Sequence, residues 1–212
     1  MEEQRTKEWH DKRLGRFTSS KSSVLLSPKG ILTAGAETYI YECAIESITG
    51  HHEEIQFLPA SIRWGEDNEA YAKQYIENKF LGEEIREVGF LEDVYNSGAS
   101  PDGIINDYTI ELKCPFNLIN HFKAFEMQTG EDLKKFNAKY FHQVQCQMHA
   151  TNKDKGYFFT FAAQDYIEDS LKLSALVVDF DSDYWAKFEN ALILANERKE
   201  EIINTIYKNA IL

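Results

Sequence analysis

Ser100-Pro101-Asp102-Gly103-Ile104-Ile105-Asn106-Asp107-Tyr108-Thr109-Ile110-Glu111-Leu112-Lys113-Cys114-Pro115-Phe116 is the stretch that decides the reading of this chain. Asn106-Asp107 is turn chemistry between two apolar runs, so residues 100–105 and 108–114 are expected to form a hairpin. Side chains alternate along a strand, which puts Glu111 and Lys113 on one face and Leu112 on the other, toward a core. Pro115 cannot donate to a ladder and ends the strand. Eight residues separate Asp102 from Glu111, and Asp102 stands in front of a glycine that lets the backbone turn. Two carboxylates and an ammonium at one strand end can hold a divalent metal and activate a water on it, the chemistry of phosphodiester cleavage. Each piece alone has a plainer reading. Asp102 suits a Pro-Asp-Gly turn, and Glu111 with Lys113 suits a salt bridge on a solvated strand. The combined pattern, with its leading Pro101 and trailing Cys114-Pro115, is the specific signal.

The residue types fit hard-metal chemistry. Asp102 and Glu111 can bind Mg²⁺, or Mn²⁺ in its place, and the backbone carbonyl of Leu112 can add an oxygen. Lys113 can orient the attacking water or stabilise developing negative charge. In Ile62-Arg-Trp-Gly-Glu-Asp-Asn-Glu69, a helix expected from near Gly65 carries Glu66 and Glu69 on one face. These are either further site carboxylates or an acidic first turn that suits the helix dipole. In the helical segment Tyr140–His149, Gln143 and Gln147 share a face beside Tyr140, where a glutamine could hydrogen-bond a phosphate or the water. His142, Cys146 and His149 recur at the spacing of a soft-metal site but lack a fourth ligand, so Cys146 reads as core. The aromatic run Tyr157–Phe161 could stack bases, and sheet core is the simpler expectation.

The remaining pattern gives the fold class. Helices are expected over 8–14, 34–48, 66–80 and 131–150, the last in one or two pieces. A short helix capped by Thr18-Ser19-Ser20 is expected to end near Pro28-Lys29-Gly30, and a long C-terminal helix, capped by Ser182 or Asp183, to reach Asn209. Strands are expected over 85–95, 157–161 and 173–180 in addition to the hairpin, with a turn at Asn96-Ser97-Gly98. The order implies an α/β or α+β domain with a central mixed sheet flanked by helices. One domain spanning 1–212 is expected, with a helical part over 1–50, a core over 60–165, and a last strand and helix over 170–212.

Composition sets bounds. The chain has 212 residues, 43% hydrophobic and 13% aromatic, enough for a substantial core. No apolar run approaches the roughly 20 residues of a membrane span, and the N-terminus shows no apolar signal segment. Three scattered cysteines, Cys43, Cys114 and Cys146, argue against a disulfide framework and for a reducing cytoplasm. The net charge of −12 is unfavourable for a phosphate-rich partner. The acid excess is concentrated in residues 31–100, which carry −10, whereas residues 1–30 carry +3. A nucleic acid would therefore need a local basic track, with metal neutralising the carboxylates.

Arg13-Leu-Gly-Arg-Phe-Thr-Ser-Ser20 after Trp9, Trp64-Gly65 followed by Glu69, Ser100-Pro-Asp-Gly103, Glu111-Leu-Lys-Cys-Pro-Phe116, and Tyr140 with Gln143-Val-Gln145 occur in that order over residues 9–162. Together they resemble the phage lambda exonuclease family of viral recombination nucleases, within the PD-(D/E)XK superfamily. The resemblance implies a restriction-endonuclease-like core and Mg²⁺-dependent 5′-to-3′ degradation of one strand of linear duplex DNA. The resulting 3′ overhangs would serve a phage single-strand annealing protein, in a bacterial host cytoplasm. It implies Asp102 and Glu111 as metal ligands, Lys113 as the catalytic lysine, Glu69 as a helix carboxylate near the metal and Gln143 at the site edge. Arg13, Ser20 and Ser100 would receive the 5′-phosphate of a DNA end. The plainer alternatives are a surface arginine at Arg13 and a helix cap at Ser20. A ring-shaped homotrimer is implied by the family, and Arg16 departs from an apolar position in its first motif. An endonuclease or junction-cutting nuclease of the same fold, and a non-catalytic DNA-end-binding module, are the competing readings.

Overall fold

The computed structural model describes residues 4–26, 31–52 and 59–210. Helix α1, Lys7–Arg13, starts where the Thr6 side chain accepts a hydrogen bond from the Trp9 amide. The chain then turns at Gly15, whose φ of 68° and contact with Ser47, 2.1 Å from where a Cβ would sit, leave room only for glycine. The helix expected after Thr18 does not form. Phe17–Thr18 is instead strand β1, paired in parallel with Ser97–Gly98, and only a 3₁₀ turn over Ser22–Val24 follows. Ladder bonds to a distant segment, Phe17 N to Asn96 O at 2.8 Å and Ser19 N to Gly98 O at 2.9 Å, outweigh the local capping signal. Ser20 caps no helix, since the 3₁₀ turn starts after Lys21 without a side-chain cap. Pro28-Lys29-Gly30 lies outside the described residues.

Helix α2 spans Ala36–Thr49. Helix α3 spans Ala60–Ile76, beginning after Pro59 rather than near Gly65, because proline needs no amide partner at a helix start. Glu66 and Glu69 therefore sit inside the helix, and the acidic-first-turn reading is wrong. The strand expected over 85–95 shrinks to β2, Leu91–Asp93, plus an isolated bridge of Arg86 to Ile104. The turn expected at residues 96–98 lies two residues earlier, over 94–96. Tyr95 and Asn96 take left-handed φ values of 52° and 55°, and Ser97–Ala99 becomes strand β3. β1, β3 and β2 form a small sheet in that order.

The hairpin is present as β4, Gly103–Ile105, and β5, Tyr108–Lys113, turning at Asn106 with φ 50°. After β5 come α4 (Leu118–Ala124), not anticipated from the sequence, then α5 (Gly130–Phe136) and α6 (Ala138–Thr151). Strand β6, Lys155–Phe161, runs parallel to β5, and β7, Leu173–Asp179, runs antiparallel to β6. Helix α7, Ser182–Asn209, is capped by Asp181, one residue before the caps expected. The second sheet has the order β4-β5-β6-β7 and is mixed, as expected.

The pleat of this sheet sorts its side chains. Ile110, Leu112, Phe159 and Phe161 pack on Ala72 and Ile76 of α3. Phe158, Leu176 and Val178 pack on Leu133 of α5 and on Phe141, Val144 and Met148 of α6. Each such fully buried large side chain stabilises the fold by about 1.5–3 kcal/mol. The aromatic strand β6 is therefore sheet core. Glu111 sits in register with Phe158, so it and Lys113 face α6, while Leu112 faces α3. A third cluster joins α2 and α7 around Phe17, Ile40, Phe188 and Leu192. No helix among the described residues is long and apolar enough to cross a membrane.

Candidate active site

The candidate constellation is built by the β4–β5 edge. The Asp102 amide donates to Ile110 O at 2.9 Å, and its Oδ2 accepts from the Leu112 amide at 2.7 Å. The N–H and C=O of a strand residue leave on the same edge, so the Leu112 carbonyl also faces the Asp102 side. Gly103 lies in β4 rather than in a turn. What excludes a side chain there is Ile85, whose Cγ2 would lie 2.1 Å from a Cβ. Asp102, Leu112, Lys113, Glu66, Glu69 and Tyr140 line one cleft of about 580 Å³.

Glu111 is 0% exposed, whereas its ion-pair partner Lys113 is 28% exposed. Glu111 Oε2 accepts from Gln143 Nε2 at 3.0 Å and from Gln147 Nε2 at 2.5 Å. Glu111 Oε1 lies against the Lys113 ammonium and has no hydrogen bond among the described residues. Burial and the neighbouring Glu111 charge push Asp102 up to about 8, against the opposing pull of Lys113. Burial alone would lower the Lys113 pKa, but the Glu111 and Asp102 charges outweigh it and raise it. Two carboxylates thus face one ammonium, a surplus of negative charge that suits a cation. Glu69 is held otherwise. Burial pushes its pKa up, yet Lys73 at 3.0 Å and Arg5 at 2.7 Å hold it below the usual range.

These donors fit a hard divalent ion. They supply two carboxylates and a carbonyl, and Mg²⁺ keeps several waters instead of filling its shell with protein. Among the described residues no three His, Cys, Asp or Glu side chains converge into a metal cage. Water and phosphate oxygens would have to complete the coordination. The His142–Cys146–His149 stripe spends its nitrogens elsewhere. His142 bonds Ser22 at 2.8 Å and Tyr184 at 2.9 Å, and His149 bonds Asp93 at 2.7 Å and stacks on Trp185 at 3.8 Å. Burial lowers the His142 pKa to about 3 and keeps it neutral, and all three cysteines are free and buried.

Arg13 and Ser20 line a second recess of about 200 Å³, with Trp9, Lys21, Tyr39 and His52 around them. The Arg13 guanidinium lies 4.1 Å from the Trp9 ring centroid, and burial lowers its pKa. Ser100 Oγ joins this group from behind, receiving Trp9 Nε1 at 2.9 Å and Arg13 Nη1 at 3.4 Å. The structure therefore brings Asp102, Glu111, Leu112, Lys113 and Gln143 together, sets Glu69 on the same cleft under two cations, and places Arg13 and Ser20 in the second recess. The sequence reading missed the bond of Gln147 to Glu111, although its spacing of four from Gln143 was the signal. The hold of Lys73 on Glu69 has the i,i+4 spacing of a helix pair as its signal, whereas that of Arg5 had no local signal.

Residues 8–154 match the YqaJ-like viral recombinase domain. The chain belongs to this family. Over 96% of its length it superposes on 97% of LHK-Exo, an alkaline exonuclease from Laribacter hongkongensis, with 26% identity and a TM-score of 0.78. The same figures hold for LHK-Exo crystallised with dAMP. A phage-related exonuclease from Haemophilus somnus 129PT matches over 90% of this chain and 96% of its own, with a TM-score of 0.72. Its 15% identity speaks to the fold alone. A comparison with curated protein sequences finds no match. As a YqaJ-like recombinase homologous to LHK-Exo, the chain shares the PD-(D/E)XK-like architecture, central strands flanked by helices.

Proposed function

We propose that this family member is a Mg²⁺-dependent deoxyribonuclease, with Mn²⁺ able to substitute. It would remove one strand of linear duplex DNA in the 5′-to-3′ direction and leave 3′ overhangs for recombination by single-strand annealing. The observation that carries the reading is the convergence of Asp102 and Glu111 on one ammonium, Lys113, at the end of β5. A bound divalent ion would supply Lewis acidity and a water of lowered pKa. Asp102, Glu111 and the Leu112 carbonyl would be the donors for that ion, with Glu69 available once Arg5 and Lys73 yield it. Gln143 engages Oε2 of Glu111, which leaves Oε1 to the Lys113 ammonium. Lys113 can donate to a water or to a phosphate oxygen. Arg13, with Ser20 and Ser100, forms a receptor for a terminal 5′-phosphate, in which a guanidinium gives directional, charge-assisted bonds. LHK-Exo holds dAMP in one of its crystal structures, and a 5′-mononucleotide is what such a reaction would release.

This reading extends to one nuclease domain over residues 1–212, a ring-shaped homotrimer threaded by DNA, a phage annealing protein as partner, and a phage- or prophage-encoded role in the bacterial cytoplasm. The test uses linear duplex DNA with and without a 5′-phosphate, and closed circular DNA, each with Mg²⁺ or EDTA. Loss of one strand from ends, in Mg²⁺ only and with the circle intact, is the expected result. Cutting of the circle would favour an endonuclease. Binding of ends without cleavage in Mg²⁺, or in Mn²⁺ in its place, would favour a non-catalytic module.

A further inference from the structure

Gln147 is a buried polar residue at the candidate site that this reading leaves without a task. Its side chain is fully buried on α6. Nε2 lies 2.5 Å from Glu111 Oε2 and 3.5 Å from the Ser100 carbonyl. Its own Oε1 is buried with no partner among the described residues. A carboxamide carries two N–H hydrogens on one nitrogen, so a single group can reach both acceptors. Turning the amide over would press its oxygen against the carboxylate, so the observed orientation is the one the charges allow. Gln143 already donates to the same Glu111 oxygen. A second amide that strands its own acceptor calls for an explanation beyond stability.

The position of Ser100 supplies one. Its hydroxyl backs the recess, receiving Trp9 and Arg13 from the recess wall, and its carbonyl faces Gln147. Two residues later the chain delivers Asp102 to the cleft. We infer that Gln147 is a positioning residue that ties Glu111 to Ser100, so that filling the recess with a 5′-phosphate sets the Glu111 carboxylate for hydrolysis. The inference rests on the nuclease reading above and adds to it a link between end recognition and bond cleavage. Gln143 lacks that link, since its amide touches Glu111 and not Ser100.

The test is steady-state cleavage by the full chain, in Mg²⁺, of linear duplexes bearing 5′-phosphate or 5′-hydroxyl ends. Gln147→Met keeps the volume and removes the donor. On phosphorylated ends it should lower kcat by about 10–100-fold, the scale seen when a partner of a metal-ligating group is removed, with KM little changed. The advantage of 5′-phosphate over 5′-hydroxyl ends should shrink toward one. Gln143→Met should lower kcat on both ends alike and keep the advantage. Unchanged kcat in Gln147→Met, or a lowered kcat with an undiminished phosphate advantage, overturns the link. Thermal unfolding shows whether that variant folds. If it does not, Ser100→Ala decides: a fall in kcat on phosphorylated ends supports the link, and a pure rise in KM overturns it. A wild-type protein that cleaves no DNA removes the nuclease reading and the link together. A wild-type protein that cleaves without regard to the 5′-phosphate removes the link alone.

Discussion

Replacing the carboxylate at the centre of the cleft should make the metal-free protein more stable. Burial and the Glu111 charge push Asp102 from 3.8 up to about 8. In the unfolded chain this carboxyl loses its proton near the ordinary value, so between about pH 4 and pH 8 the folded state binds more protons than the unfolded one. Stability then falls as pH rises through that window, and the loss is complete above the folded pKa. At about 1.36 kcal/mol per pKa unit the ceiling is roughly 6 kcal/mol. Asp102 keeps an open side in the cleft, where solvent screens its neighbours, and about 1–3 kcal/mol is the realistic share. Asp102→Asn removes the titration and retains an oxygen that can accept from the Leu112 amide. In EDTA the variant should match wild type below about pH 4 and exceed it by that amount at pH 8.5. For a domain of this size the gain is about 2–4 °C in Tm per kcal/mol. Mg²⁺ should reverse the order, because an ion at about 1,000 times its Kd stabilises the wild type alone by about 4.1 kcal/mol. Thermal unfolding at pH 4 and 8.5, with EDTA or Mg²⁺, is the assay. A variant less stable than wild type at pH 8.5 in EDTA, or a difference independent of pH, would refute the electrostatic account of this cleft.

Lys113→Met should abolish most cleavage, by about 10²–10³-fold for a lost charge-stabilising donor, while DNA-end binding persists in a gel-shift assay. A near-wild-type single-turnover rate would remove Lys113 from the chemistry. Arg13→Ala should reduce the preference for 5′-phosphorylated ends about 10–100-fold, the worth of a charge-assisted hydrogen bond of about 1.5–3 kcal/mol, as read by competition between the two kinds of end. An unchanged preference would end the assignment of the recess to the phosphate.

The legible part of this protein was local. Alternation along 108–114 fixed which of Glu111, Leu112 and Lys113 share a face, and Asn106-Asp107 marked the hairpin. The helices α2, α5 and α6 followed from their apolar spacing. Errors came where distant chain supplied the partner. Thr18-Ser19-Ser20 carries a capping signal, but Ser97–Gly98 offers a strand edge about 80 residues away, and pairing there wins. Likewise residues 85–90 have strand-like composition, yet only Arg86 finds a ladder partner. Gly103 looked like a turn residue and proved to be a clearance beneath Ile85, a neighbour that no local pattern discloses.

The sequence by itself determined the chemical identity of the cleft: which acids, which base and which strand carries them, because a period of two is a property of the chain's own backbone. Only the tertiary structure decided what those groups experience. Burial under α6 brings two glutamines onto Glu111, Asp102 is pushed up because a second carboxylate is folded against it, and Glu69 is neutralised by Arg5 from the N-terminal arm. Electrostatic energies depend on distance and on exclusion of water, and both are set by packing between segments far apart in sequence.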